Sequence, residues 1–308
     1  MNREEIIGWL LHGDPSIRWQ VKRDLINEME NAILAEKERI SAEGWGNKLL
    51  SFQDEDGKWS GQLYNGKWIS TTYSLLILTN LGIIPNSKTK NACHQLFLGG
   101  LYNDEEIRFS SKQKLRDNGV TGLVLGILCY FEYDDQRIHN IADYLIRSQK
   151  DDGSWIFDDK EGAEKYSFEN TMIILKGISE YLKKYPGSNL QIDKSIRKGQ
   201  EFLLKYNLFQ NPLTNLPINK KMLRISFPYY WFYDILVGLE YFWDMDFKDK
   251  RLEPAIKIIK KKQNKDGTWN LENKHPGKIF IEMEQVGKPS RWNTLRCLRV
   301  IEWWEKSP

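Results

Sequence analysis

The residues best equipped for chemistry in this chain are carboxylates set among apolar side chains, and Asp234 is the first of them. It lies in Phe227-Pro228-Tyr229-Tyr230-Trp231-Phe232-Tyr233-Asp234-Ile235-Leu236-Val237. Burying a carboxylate is costly unless it is paired or its pKa rises until it is neutral. A neutral carboxyl suits a general acid, whereas a partner on a neighbouring helix would make it a structural ion, and both readings stay open. The spacing predicts a helix over 228–243, with Ser226 as cap and Pro228 in the first turn, which sets Asp234 too deep to cap that helix. Glu282 and Glu284 flank Met283, and in extended chain both point the same way. Paired carboxylates can do acid–base work; the same alternation also marks a solvated face over Ile281 and Met283. Asp234, Glu282 and Glu284 are the candidate catalytic residues, expected to meet near the Arg291 helix start.

Candidate binding residues fall into two groups. Trp68, Tyr73, Tyr230 and Trp231, with Thr71 beside the first two, could form an aromatic wall whose π-faces stabilise a cation. Arg291-Trp292-Asn293 and Arg18-Trp19-Gln20 begin helices with a cation, an aromatic and an amide, a setting that favours an anion. Arg116 and Glu169 extend that polar group. Core packing and bonds between loops explain the same residues equally well. His12, His94, His139 and His275 and the three cysteines show no ligand spacing, so neither a metal nor a cofactor is expected.

Three near-copies of one heptad set the frame that must position these side chains. Gln53 to Trp59, Gln149 to Trp155 and Gln263 to Trp269 each read Gln, three residues, Gly, one residue, Trp, with Asp before the Gly. Asp-Gly supplies the left-handed backbone of a tight turn. The amide and the indole suit a staple between helical hairpins. Degenerate copies end near 100 and 207, giving a period of about 50 residues, the mark of stacked two-element units.

Helical periodicity predicts twelve helices at roughly 3–11, 15–32, 35–52, 70–82, 88–99, 119–132, 136–148, 168–185, 192–206, 228–243, 250–262 and 290–305, and no convincing strand pair. Amphipathic segments (136–148, 250–262) alternate with segments apolar on most faces (72–81, 120–131, 228–243), as outer and inner helices would. The expected fold is all-α, an (α/α)6 toroid of six hairpins forming a single domain over 1–308. Its longer loops, 54–69, 100–118, 150–167, 207–227 and 264–289, would gather at one end, where function is usually placed.

The Gln-x-x-x-Gly-x-Trp pattern resembles the QW repeat of squalene–hopene cyclases and their relatives, the terpenoid cyclase and protein prenyltransferase toroids. Gly13-Asp14-Pro15-Ser16-Ile17-Arg18-Trp19-Gln20, Asn118-Gly119-Val120-Thr121-Gly122 and Gly287-Lys288-Pro289-Ser290-Arg291-Trp292-Asn293-Thr294-Leu295 extend the likeness to a bacterial group of short squalene-cyclase-like proteins. The resemblance implies a terpenoid-cyclase-like enzyme acting on an isoprenoid or similar hydrophobic substrate in a central aromatic cavity, by carboxylate general-acid chemistry. The sequence departs from that pattern in having no Asp-x-Asp-Asp acid and no prenyltransferase zinc ligands, and in placing Glu169 and Phe232 where His would be expected. A carbohydrate-processing enzyme using paired carboxylates and a non-catalytic binding toroid are the alternatives.

Composition narrows the partners. With 45 basic and 42 acidic residues in 308, the net charge offers no electrostatic case for nucleic acid. Cys93, Cys129 and Cys297 are scattered, which argues for a reducing compartment. Met1 to Glu5 is too acidic for a signal peptide, and no apolar run reaches membrane-spanning length. A cytoplasmic protein with a small hydrophobic ligand and no transmembrane segment is expected; the sequence leaves the oligomeric state undefined.

Overall fold

The structure, a computed structural model, describes residues 1–109, 117–156, 168–187 and 190–306. Among these the fold is all-α, with two minimal antiparallel ladders. In chain order the helices are α1 (Arg3–Leu11), α2 (Pro15–Asp24), α3 (Glu30–Glu38), α4 (Gly44–Ser51), α5 (Thr71–Leu81), α6 (Ser87–Gly100), α7 (Asn118–Tyr130), α8 (Arg137–Arg147), α9 (Phe168–Lys184), α10 (Leu190–Lys205), α11 (Ile235–Asp244), α12 (Glu253–Lys261) and α13 (Arg291–Glu305). The ladders, absent from the sequence expectation, pair β1 (Leu101–Tyr102) with β2 (Glu106–Ile107) and β3 (Trp269–Asn270) with β4 (Pro289–Ser290). No helix among the described residues is long and apolar enough to cross a membrane.

Contacts divide the chain into two compact units, one of Met1–Phe52, Asn80–Ile84 and Leu204–Pro308, the other of Gln53–Thr79 and Pro85–Leu203. In the first, α13 packs against α2, α11 and α12. Eight successive residues of α11, Ile235 to Phe242, are buried, while α12 buries only Ala255, Ile256 and Ile259 on one stripe. In the second, α7 is buried almost continuously from Gly119 to Cys129, and α8 buries the one-sided set Ile138, Ile141, Ala142, Tyr144 and Leu145. The alternation of all-round apolar and one-sided helices is therefore real within each unit.

The three heptads fold alike. The glycines sit at φ +86, +89 and +90 for Gly57, Gly153 and Gly267. Each Gln donates its Nε2 to the carbonyl of its own glycine, at 2.8 Å (Gln53), 2.9 Å (Gln149) and 3.0 Å (Gln263). Gln53 also reaches Lys88 O at 3.1 Å and Gln149 reaches Ser195 O at 2.9 Å, both in a following amphipathic helix. The Asp before each glycine accepts from the N–H two residues on: Lys58, Ser154 and Thr268. The indoles of Trp59, Trp155 and Trp269 are almost wholly buried. Trp155 Nε1 donates to Leu145 O at 2.7 Å and Trp269 Nε1 to Ile259 O at 2.8 Å, adding a second donor to a carbonyl in the last turn of the preceding helix.

Two expected segments break up. The 15–32 and 35–52 helices become α2, α3 and α4, because Asn27 at φ +49 and Gly44 at φ +69 cannot continue a right-handed helix. The 228–243 helix starts only at Ile235: the Phe227–Pro228 peptide is cis and Tyr230 lies at φ +50. Asp234 is its N-cap, which overturns the expectation that it lay too deep for that role.

Candidate functional site

Asp234 is buried, and four donors use up its oxygens. Oδ1 accepts from Leu236 N and Val237 N, both at 3.0 Å. Oδ2 accepts from Ser226 N at 3.1 Å and Ser226 Oγ at 3.2 Å. Burial pushes its carboxyl above the usual range, while the Arg296 charge and the backbone N–H groups pull it back. Bound on both oxygens, this group is an N-cap that also ties down the 226–234 loop. Ser226 Oγ lies 3.2 Å from His275 Nε2. His275 stacks flat on Phe232 at 3.7 Å, and burial pushes its pKa down to about 4. Beside them Phe227, Tyr230, Ile281 and Met283 enclose a cavity of only about 20 Å³, which is room for a water.

The expected Glu282–Glu284 pair does not form. Exposed Glu282 is bound to Lys274. Glu284 turns inward to the start of α13, accepting from Arg291 N at 2.7 Å, Trp292 N at 3.3 Å and the Ser290 hydroxyl. The anion that this helix start was expected to favour is thus the chain's own carboxylate. Burial raises the Glu284 carboxyl, and these bonds oppose the shift. Arg291 donates to Trp9 O at 3.1 Å with its guanidinium 4.5 Å over the Trp9 ring. Trp292 is sandwiched between Phe227 at 4.0 Å and Trp45 at 6.2 Å. Asn293 donates to Asn270 O at 3.0 Å. The Trp231 ring stacks on Phe232 at 4.0 Å. These side chains hold the unit together.

Sequence reasoning missed the ionic cluster behind them. Arg296 donates to Glu240 Oε2 at 2.7 Å, Ser226 O at 2.8 Å and Asn293 Oδ1 at 3.2 Å. Arg299 joins Glu240 Oε1, Gln20 Oε1 at 2.8 Å and Asp24 Oδ2 at 3.1 Å. All are buried. The two guanidiniums overcome burial and hold Glu240 at about 2. Arginines between Leu295, Cys297, Leu298 and Val300 were the available signal, since a cation inside an apolar run needs a partner.

The second unit contains carboxyls of a different kind. Asp117 caps α7, accepting from Val120 N at 3.1 Å, and burial raises its carboxyl. Glu169 stands in the first turn of α9, and burial raises its carboxyl too. Among the described residues no cation or side-chain donor holds Glu169. A stripe of small residues brings these two helix starts together. A Cβ on Gly177 would fall 2.2 Å from Gly122 O, and one on Gly122 would fall 2.6 Å from Ile174 Cγ1. A Cβ on Gly119 would meet Asn170 Oδ1 at 2.5 Å and Asp117 Oδ1 at 3.2 Å. Asp117 therefore adjoins Asn170, the chain neighbour of Glu169.

Aromatic rings stand on the same side. Asp117 exerts its charge on Tyr64, whose hydroxyl is pushed up by burial. The Tyr64 ring lies 5.3 Å from Phe109 and 5.5 Å from Tyr73, and Tyr73 meets Trp68 edge-on at 4.8 Å. Thr71 instead serves the staple, accepting from Trp59 N at 3.1 Å and donating to Gln62 O at 2.8 Å. Arg116 lies outside the described residues. Asp117 was missed because it closes the expected 100–118 loop, although Asp before Asn-Gly-Val at a helix start is a cap signal.

No family model and no curated protein matches the chain. A solved structure described as a protein from Actinoplanes covers 96% of this chain and 91% of its own at 13% identity, with a TM-score of 0.48. That distance leaves both fold and chemistry unargued.

Proposed function

We propose that the protein is a terpenoid-cyclase-like enzyme of (α/α)6 toroid type, acting on an isoprenoid or similar hydrophobic substrate by proton donation from Glu169. The observation that carries this reading is the contrast between carboxyls. Asp234, Glu240 and Glu284 are saturated by donors or cations, whereas Glu169 is raised by burial and, among the described residues, is opposed only by its own backbone N–H. A carboxyl raised by burial keeps its proton to higher pH than an exposed one, and in that form it can protonate an alkene: the π pair takes the proton, a carbocation forms and the carboxylate is left behind. The faces of Trp68, Tyr73 and Tyr64 suit such a cation. The carboxylate left on Glu169 is the base that can take a proton back as the cation is quenched to an alkene. The carbohydrate alternative rested on Glu282 and Glu284 as a pair, and both are engaged elsewhere.

The test is incubation with squalene and with farnesyl diphosphate in D2O, followed by mass spectrometry of the extracted products. Protonation by Glu169 places solvent deuterium on a cyclised hydrocarbon, and Glu169→Gln abolishes it while Asp234→Asn at a temperature where it stays folded does not. Deuterium-free products, or turnover unchanged in Glu169→Gln, would refute the assignment.

A further inference from the structure

The segment between Glu201 and Asp234 contains no acidic residue but carries Lys205, Lys220, Lys221 and Arg224. Its middle is a hairpin closed by an antiparallel bridge between Gln210 and Pro217. At the tip Leu213 is 93% exposed and Leu216 64%, and no large hydrophobic among the described residues is more exposed than Leu213. We propose that this hairpin docks on an anionic phospholipid bilayer, the two leucines entering the acyl boundary and the lysines meeting the headgroups. The proposal is independent of the acid chemistry above.

Backbone accounting sets the depth of entry. A segment entering lipid must satisfy its own N–H and C=O groups, because no water is there to do so. Asn211 N donates to Leu216 O at 2.9 Å and Asn215 N to Asn211 O at 2.8 Å. Leu213 N donates to Asn211 Oδ1 at 2.9 Å and Leu216 N to Thr214 Oγ1 at 3.3 Å. Pro212 and Pro217 have no N–H to satisfy. From 211 to 217 only the Thr214 N–H is without such a partner. Asn215 at φ +56 turns the tip so that both leucines flank it. The N–H groups are thus largely met within the turn, whereas the carbonyls of Pro212, Leu213, Thr214 and Asn215 accept from no donor there, so the tip suits the wet headgroup boundary and not the acyl core.

Charge complementarity selects the partner. Lys220 and Lys221 open a 3₁₀ turn directly after the hairpin, are exposed, and form no ion pair among the described residues. Arg224 donates to a backbone carbonyl, Glu272 O, at 3.0 Å, so its charge is not neutralised there. An apolar insertion and a basic patch are the two weak signals that together hold a protein reversibly on an anionic membrane. A stable protein interface needs about 1,200 Å² or more, far beyond two leucines on one tip.

The experiment is co-sedimentation of the full chain with phosphatidylcholine vesicles and with vesicles containing phosphatidylglycerol. Partition onto the anionic vesicles is expected, falling as salt rises. Leu213→Ser with Leu216→Ser should weaken it tenfold or more, and Lys220→Glu with Lys221→Glu by a similar factor, roughly fivefold for each lysine at about 1 kcal/mol apiece. Leu98→Ser, which removes another exposed leucine, should change nothing. Circular dichroism melts of the tip variants should match the parent. No partition, partition indifferent to the leucines, competition by inorganic phosphate alone, or leucine variants that abolish self-association instead of vesicle binding would each overturn the proposal.

Discussion

The backbone N–H of Trp155 donates to Thr171 Oγ1 at 3.1 Å, and the same bond joins Trp59 to Thr71 at 3.1 Å and Trp269 to Thr294 at 3.0 Å. A side-chain hydroxyl from the following buried helix thus satisfies an N–H that no ladder reaches. Thr171→Val keeps the shape and leaves that N–H orphaned, which should cost about 1–3 kcal/mol. Thr171→Ser retains the acceptor and should cost less. Trp155→Ala should cost about 3–5 kcal/mol. Urea unfolding midpoints check all three; a Thr171→Val midpoint equal to the parent's would show the bond to be incidental.

Gly153 and Gly187 share a left-handed backbone, φ +89 and +86, but not their surroundings. A Cβ on Gly153 would sit 2.2 Å from Lys198 O, while nothing lies within 4 Å of one on Gly187. Alanine at 187 should cost only the backbone term of about 1–2 kcal/mol. Alanine at 153 must also push α10 away, so its melting temperature should fall distinctly further. Equal losses would mean that the contact at 153 relaxes freely.

The Glu240 cluster and His275 should give acid lability in two separate windows. Glu240 titrates at about 2 in the fold against an ordinary 4.5. Its contribution is complete above pH 4.5 and is lost as pH falls toward 2. His275 is held down to about 4 from 6.5. The unfolded chain therefore takes up a proton that the folded chain refuses, and that contribution is lost as pH falls from 6.5 to 4. His275→Gln should flatten the stability profile in the upper window only. Glu240→Gln, leaving Arg296 and Arg299 buried without their counter-ion, should cost about 3–5 kcal/mol at neutral pH. A profile unchanged by His275→Gln would contradict its assignment.

Asp234→Asn and Glu169→Gln should behave oppositely in a thermal melt. Asparagine offers one acceptor oxygen where four donors converge on two, so the α11 cap loosens and stability should fall by about 1–2 kcal/mol. Glutamine at 169 replaces a half-buried acid that no cation or side-chain donor among the described residues holds, so the melting temperature should hold or rise. Differential scanning calorimetry separates the cases, and a large loss for Glu169→Gln would reveal a structural partner.

The legible parts of this chain were those whose signals sit close together. Gln, Gly and Trp of each staple fall within seven residues, and all three copies have the geometry their types suggest. Thr171 and Thr294 went unread, and Thr71 was read as a binding residue, because loops of different length separate each from its tryptophan. The α11 start was misplaced because Ser226 and Pro228 make the same local signal as Asp234 before Ile235, and only the path through Tyr230 decides between them. The Glu240–Arg296 pair was invisible because its members are far apart in sequence and each looks anomalous alone. Glu169 was singled out, but what sets it apart, the lack of a cation or side-chain donor among the described residues, is a property of the packed surroundings. Asp117 joins it only through the close approach of Gly122 and Gly177.

Gln53 and Gln149 reach across to Lys88 O and Ser195 O, and in both cases the group they find is a main-chain carbonyl. Every residue type presents that same oxygen. The fastening therefore imposes no side-chain identity on the helix that receives it, so lysine in one copy and serine in another serve alike. Each repeat can drift, lengthen its loop or exchange its receiving helix while remaining pinned to its neighbour, and the only letters the device must keep are its own.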